Sequence, residues 1–166
     1  IATDDGKKCL GTWRAYPTTK PYMVETIFPE FWGEREIIKH ENAYEFSRSV
    51  VDWEYFGGDV RAARNVHIEL YCATIEWCII HDVFEVVSFT DPRITRRTNY
   101  LYGEPTWKGE VMDCGDGGYA QCVIYNPNLK QLIKFRRELR MPIPALAQYV
   151  SGAGELRPEN NIQHAS

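Results

Sequence analysis

Val66, Leu70, Ala73, Thr74, Trp77 and Ile80 or His81 recur at intervals of three and four, the spacing that lays one buried stripe along an α-helix. Asp59, just after Gly57-Gly58, can cap the free N–H groups at the start of such a helix, so the pattern predicts a long helix over 60–81. Residues 84–90 form a near-continuous apolar run with β-branched members, as in a central strand covered on both faces. Strands are also predicted over 8–16, behind the turn signal Asp4-Asp5-Gly6, and over 44–52. Between them Pro17 and Pro21 break the chain, and 23–32 reads as a short turn or helix with apolar Val24, Ile27, Phe28 and Phe31, a surface-packed connector.

Asp91-Pro92 is suited to begin a second helix, through about Tyr100. Strands over 108–114 and 119–125, separated by Gly115-Asp116-Gly117-Gly118, read as a hairpin, and Asn126-Pro127-Asn128 opens a last helix to about Arg140. Residues 151–166 are polar and lack an apolar period, so they read as a loose tail behind a single domain over 1–150. The order strand, strand, long helix, strand, helix, hairpin, helix predicts an α/β fold with a mixed central sheet flanked by helices.

At 166 residues and 44% hydrophobic content the chain can hide roughly 70% of its unfolded surface in one core. It has no apolar run of roughly 20 residues and no basic-then-apolar start, so neither a membrane span nor a secretory leader is predicted, and a soluble cytoplasmic monomer is expected. Five cysteines without a CxxC pair suggest reduced thiols. Cys78 and His81 are too few to make a metal site, and no metal is expected. The net charge of −4 argues against a nucleic-acid partner. Arg93, Arg96 and Arg97, with Arg136, Arg137 and Arg140, make two basic clusters, read either as solvated helix faces or as a patch for an acidic carrier protein or a coenzyme phosphate.

Glu45-Phe46-Ser47-Arg48 sets an acid and a base three apart inside an otherwise apolar strand. In a regular strand those two side chains face opposite ways, and a β-bulge between them would bring both to one side. Arg14, in the neighbouring strand, could add a second cation. Read from the residues alone, the cluster is either an active site or an edge with a structural ion pair.

Trp13-Arg14, Pro17-Thr18-Thr19, Pro21-Tyr22-Met23, Ile27-Phe28-Pro29-Glu30 and Glu45-x-Ser47-Arg48-x-Val50-Val51-Asp52, in that order, resemble the acyl-homoserine-lactone synthase family. The likeness continues through Val86-Val87-Ser88-Phe89-Thr90-Asp91 and Gly103-Glu104-Pro105, covering roughly residues 1–125. It implies an acetyltransferase-like, three-layer α/β sandwich in which two splayed parallel strands, here 44–52 and 84–90, admit the pantetheine arm of a thioester. It also implies an upstream, S-adenosylmethionine-binding segment that these residues do not include.

The resemblance implies that Arg14, Glu45 and Arg48 are the charged catalytic residues, with Ser47 beside them and Glu45 the candidate base for the amine of S-adenosylmethionine. Phe46, Ser47, Leu70, Thr74, Val86, Val87 and Ser88 are the expected substrate-binding residues, of which Phe46, Leu70, Thr74, Val86 and Ser88 would line an acyl pocket. Substrates would be S-adenosylmethionine and an acyl thioester, carried on acyl carrier protein or coenzyme A, with no tightly bound cofactor. The products would be an acyl-homoserine lactone for quorum sensing and methylthioadenosine. The alternatives are a coenzyme A-dependent N-acetyltransferase-like enzyme, for which the usual pyrophosphate loop is not evident between Asp52 and Val60, and a non-catalytic domain of the same fold.

Overall fold

A computed structural model of the chain describes residues 2–3, 7–140 and 144–146. The strands are β1 (Ala2–Thr3), β2 (Cys9–Pro17), β3 (Ala43–Val51), β4 (Glu85–Thr90), β5 (Trp107–Lys108), β6 (Met112–Gly115) and β7 (Gly118–Tyr125). The helices are α1 (Met23–Thr26), α2 (Val60–Ile80), α3 (Pro92–Tyr102) and α4 (Leu129–Leu139), and a 3-10 turn spans Pro29–Trp32. The predicted 151–166 tail lies outside the described residues.

Helix starts are fixed by the capping side chains the sequence offers. The Asp59 carboxylate accepts from the N–H groups of Arg61 and Ala62 at 2.9 and 3.0 Å, Asp91 from that of Arg93 at 2.7 Å, and Asn128 from that of Gln131 at 3.0 Å. Helix α4 ends where Arg140 turns left-handed, before Pro142.

The sheet runs β1-β2-β3-β4-β7-β5, with β6 also on β7. Strands β3 and β4 are parallel neighbours, joined by the crossover through α2, and the other pairings are antiparallel. The predicted strand over 108–114 is divided into β5 and β6. Gly109 follows β5, its N–H bonding to Cys122 O at 2.8 Å, and a Cβ there would stand 2.7 Å from the Phe31 carbonyl.

Period-two alternation sends the two faces of the sheet into different cores. On one face Val87, Ala120, Cys122 and Ile124 pack with Tyr22, Val24, Phe31, Trp32 and Ile38 from the segment around α1 and the 3-10 turn. On the other, α2 and α4 supply Ile68, Tyr71, Cys72, Ile75, Leu132 and Phe135, against Trp13 and Tyr125. Leu10 and Val51 meet Ala63, Val66 and Leu70 at one end of α2, and Phe46 and Val86 meet Cys78 and Val83 at the other. This is the expected three-layer arrangement.

Glu76 of α2 is a buried carboxylate whose place the sequence did not announce. It accepts from Arg136 Nη2 at 2.6 Å and from the backbone N–H groups of Ala145 and Leu146 at 3.0 and 2.9 Å. It therefore ties α4 and the chain beyond it to the central helix.

Phe135 is 1% exposed and meets Tyr71 edge-on at 5.4 Å, so Phe135→Ala should cost about 3–5 kcal/mol of stability. Urea unfolding of the two proteins measures the loss; an unchanged midpoint would mean that α4 is not part of the core.

Candidate active site

Strands β3 and β4 pair at only three places, Ala43 with Glu85, Tyr44 with Val86 and Glu45 with Val87. Beyond these β4 follows β7 as far as Thr90 opposite Gln121, while β3 follows β2 as far as Val51 opposite Gly11. The parallel strands thus part at Glu45 and Val87. A side-chain link remains just past the fork, where Ser88 Oγ donates to Phe46 O at 3.2 Å.

The β2–β3 register slips by one between Thr12 opposite Val50 and Arg14 opposite Ser47, so Arg48 and Ser49 together face Trp13. Arg48 accordingly has φ = 57°, in the left-handed region. The expected bulge exists, but at Arg48 and Ser49 rather than between Glu45 and Arg48. It does not bring those two side chains together.

Two environments result. On the α1 face Glu45 is fully buried, accepting from Val24 N at 3.0 Å and from Arg14 Nη2 at 3.3 Å. Arg14 also donates from Nε and Nη2 to Ser47 Oγ, at 3.1 and 2.9 Å, and its side chain is 41% exposed. The carboxylate is sealed in, while its cation reaches the surface.

On the α2 face, the gap between the parted strands opens into a groove of about 400 Å³. Phe46, Ser47, Arg48, Thr74, Val86 and Ser88 line it. Leu70, an anticipated lining, does not, nor does Val87, expected among the substrate-binding residues. Val87 follows the strand's alternation into the opposite core, and Leu70 lies one turn before Thr74 on α2, packed with Leu10 and Val51.

The groove also contains residues that sequence reasoning missed: Trp13, His67, Tyr71, Ile75, Phe89 and Tyr125 among them. His67, Tyr71 and Thr74 are spaced four and three along α2, so the stripe carried a signal for the first two once Thr74 was chosen. Tyr125 was legible only through the register that sets it opposite Val86. Burial lowers the pKa of His67, which favours the neutral imidazole.

Of the two basic clusters, Arg93 pairs with Asp91 at 2.5 Å and Arg136 with Glu76, so both contain committed charges. Among the described residues no group of acidic, His and Cys side chains could hold a metal, and no helix is long and apolar enough to cross a membrane.

A mixed sheet whose parallel central strands part over a groove, with helices on its faces, is the acetyltransferase-like α/β fold. A coenzyme A-dependent acyl-homoserine-lactone synthase, BjaI, solved with SAM and isopentyl-CoA, superposes with a TM-score of 0.69 at 22% identity, over 86% of this chain and 69% of that one. The acyl-homoserine-lactone synthase LasI gives 0.64 at 21% identity, over 76% and 62%.

The sequence model of the autoinducer synthase family matches residues 1–100, and the chain belongs to that family. The acyl-homoserine-lactone synthase of Aliivibrio fischeri is 30% identical over 95 residues, 57% of this chain and 49% of that protein. That of Rhizobium radiobacter is 28% identical over 119 residues, 70% and 55%. The chain spans about half the length of the curated relatives it matches.

Cys122 lies in the core beside Glu45, and burial with that carboxylate pushes its pKa up to about 12; burial raises Cys78 to about 12 and Cys72 to about 11. Iodoacetamide at pH 8 should therefore modify the exposed Cys9 and Cys114 and spare these three until denaturant is added. Because the folded values lie above the unfolded value of 9.0, the thiols' contribution to stability is complete below pH 9 and falls as pH rises toward 11. Mass mapping and alkaline unfolding check this; rapid labelling of Cys122 in the folded protein would contradict it.

Proposed function

We propose that this chain is the acyl-transfer part of an acyl-homoserine-lactone synthase, which joins the acyl group of a thioester to the amine of S-adenosylmethionine and then closes the lactone. The observation that carries the proposal is the fork itself. Glu45 is the last residue of β3 paired to β4, and Phe46, its neighbour in the chain, already lines the groove. An ionisable pair and an apolar channel thus meet at one point, on opposite faces of the sheet.

In the proposed first step, the S-adenosylmethionine ammonium loses a proton to the Glu45 carboxylate, directly or through a water. The free amine attacks the thioester carbonyl, the tetrahedral oxyanion is met by backbone N–H groups at the parting strands, and the thiol departs with a proton. In the second step, the substrate's own carboxylate attacks the carbon bearing the sulfonium. The C–S bond breaks, methylthioadenosine leaves neutral, and the ring closes without an external nucleophile.

Arg14 orients Glu45 and, being partly exposed, can also meet the carboxylate of S-adenosylmethionine. Arg48 stands at the groove instead, in reach of the thioester donor rather than of Glu45. The donor is an acyl thioester, on coenzyme A or on acyl carrier protein. The reaction belongs in the bacterial cytoplasm, where both substrates are made.

Glu45→Gln retains an acceptor for Val24 N–H but removes the base, so turnover should fall about 10²–10⁴-fold while the unfolding midpoint changes little. Full-length protein, S-adenosylmethionine and a panel of acyl thioesters, followed by mass spectrometry for methylthioadenosine and acylated lactone, read the effect. If the wild type makes neither product, the proposal fails; if the variant turns over normally, Glu45 is not the base.

A further inference from the structure

Helix α4 has two unlike faces. Leu132 and Phe135 are buried in the core that α4 shares with α2, and Arg136 turns inward to meet Glu76 at 2.6 Å. Leu129, Lys130, Ile133, Lys134 and Arg137 are exposed, and at about 3.6 residues per turn they fall within about 140° of arc on the other side. Arg140, exposed where the helix ends, extends the same charge. Among the described residues, this outer face carries two aliphatic side chains, a run of cations and no acid.

Such a face stands apart on a chain whose formal net charge is −4. Lys130, Lys134 and Arg137 follow one another at intervals of four and three, so their charges repel along the helix, a cost that an anionic partner removes. Leu129 and Ile133, 58% and 51% exposed, gain in turn from an apolar environment. The partner must therefore be anionic and apolar within the span of a few helical turns.

A protein partner finds its main anchorage in recessed, desolvated pockets. Here the aliphatic groups project from a convex helix instead. The headgroup layer of an anionic bilayer meets both requirements: it admits protruding Leu and Ile side chains at the acyl boundary and holds Lys and Arg at its phosphates on their flexible stems.

The face begins at the mouth of the groove. Ile94, which is 54% exposed, and Pro127 both line the groove, and Leu129 follows Pro127 by two residues.

We propose that the outer face of α4 docks the protein peripherally on an anionic lipid surface, with Lys130, Lys134, Arg137 and Arg140 at the phosphates and Leu129 and Ile133 between the headgroups. The docking stands on the helix alone. Its consequence, that an acylated product leaves the groove beside the bilayer, rests on the synthase reading above. Each cation contributes about fivefold to partitioning onto anionic lipid, so removing two costs about 25-fold.

Flotation of full-length protein with vesicles of equal parts phosphatidylglycerol and phosphatidylcholine, and with vesicles of phosphatidylcholine alone, tests the docking. Partition onto the anionic vesicles only, falling as salt rises, about 25-fold weaker in the double variant Lys130→Gln, Arg137→Gln and weaker also in Ile133→Ser, supports it. A wild type that ignores the anionic vesicles overturns the proposal. So does undiminished partition of the double variant, which would move the contact off α4, and so does an Ile133→Ser variant that binds as the wild type does, which would reduce the contact to charge alone. Capture of acyl carrier protein through Lys130 and Arg137 without vesicle binding overturns it in favour of an acidic protein. Lactone synthesis is assayed separately, without vesicles, so the failure of either reading leaves the other standing. Because the wild-type comparison of the two vesicles comes first, a variant that fails to fold does not shield the proposal.

Discussion

Two parallel strands that pair over three residues and then separate set the terms for everything else in this molecule. Each strand has a second neighbour with a longer antiparallel ladder, β2 for β3 and β7 for β4, and beyond Glu45 and Val87 each follows that neighbour. The bulge at Arg48 and Ser49 strengthens the local twist of β3 and carries it away from β4. A sheet split in this way cannot close its own core at the split. Side chains of α2 roof the gap, and the remaining space is the groove.

Two carboxylates buried among the described residues, Glu76 and Glu45, show how differently the fold holds acidic groups. Taking either out of water costs several kcal/mol, which hydrogen bonds and a cation must offset. Glu76 has Arg136 and two backbone N–H groups and joins α2, α4 and the segment at 145–146 into one unit. Glu45 has one backbone N–H and a more distant Arg14, whose side chain is 41% exposed. The first arrangement joins three partners around a buried carboxylate; in the second the carboxylate is buried while its cation reaches the surface.

Strand alternation explains why the charged pair and the groove do not mix. Glu45 and Ser47 direct their polar atoms toward Arg14 and the α1 layer, whereas Phe46 turns toward α2. Ser47 belongs to both, lining the groove and accepting from Arg14. The sheet's thickness thereby separates an apolar channel from an ionic site while a single stretch of backbone connects them.

Much of this was legible beforehand because it depends on local chemistry. The long helix and its Asp59 cap, the strand near 84–90, the turn at Gly115-Asp116-Gly117-Gly118 and the conspicuous charges at Glu45 and Arg48 are properties of neighbouring residues, and short-range periodicity exposes them. The expected burial was less so: Ile80 is 67% and Phe84 52% exposed, and the buried stripe of α2 runs through Ile68, Tyr71, Cys72, Ile75 and Cys78. The close approach of the Phe31 carbonyl to Gly109, between β5 and β6, was not, since Phe31 is far away in the chain. Nor was the fate of Val87 and Leu70, which depends on which face of a strand or helix meets which neighbour. The bulge was foreseen but misplaced by a residue or more, because its position is a property of the β2–β3 register rather than of β3. What the sequence determined by itself was the identity of the elements and the residues able to do chemistry. Which of them share a cavity was decided by tertiary structure, since a one-residue slip in pairing sends a side chain to the other side of the sheet.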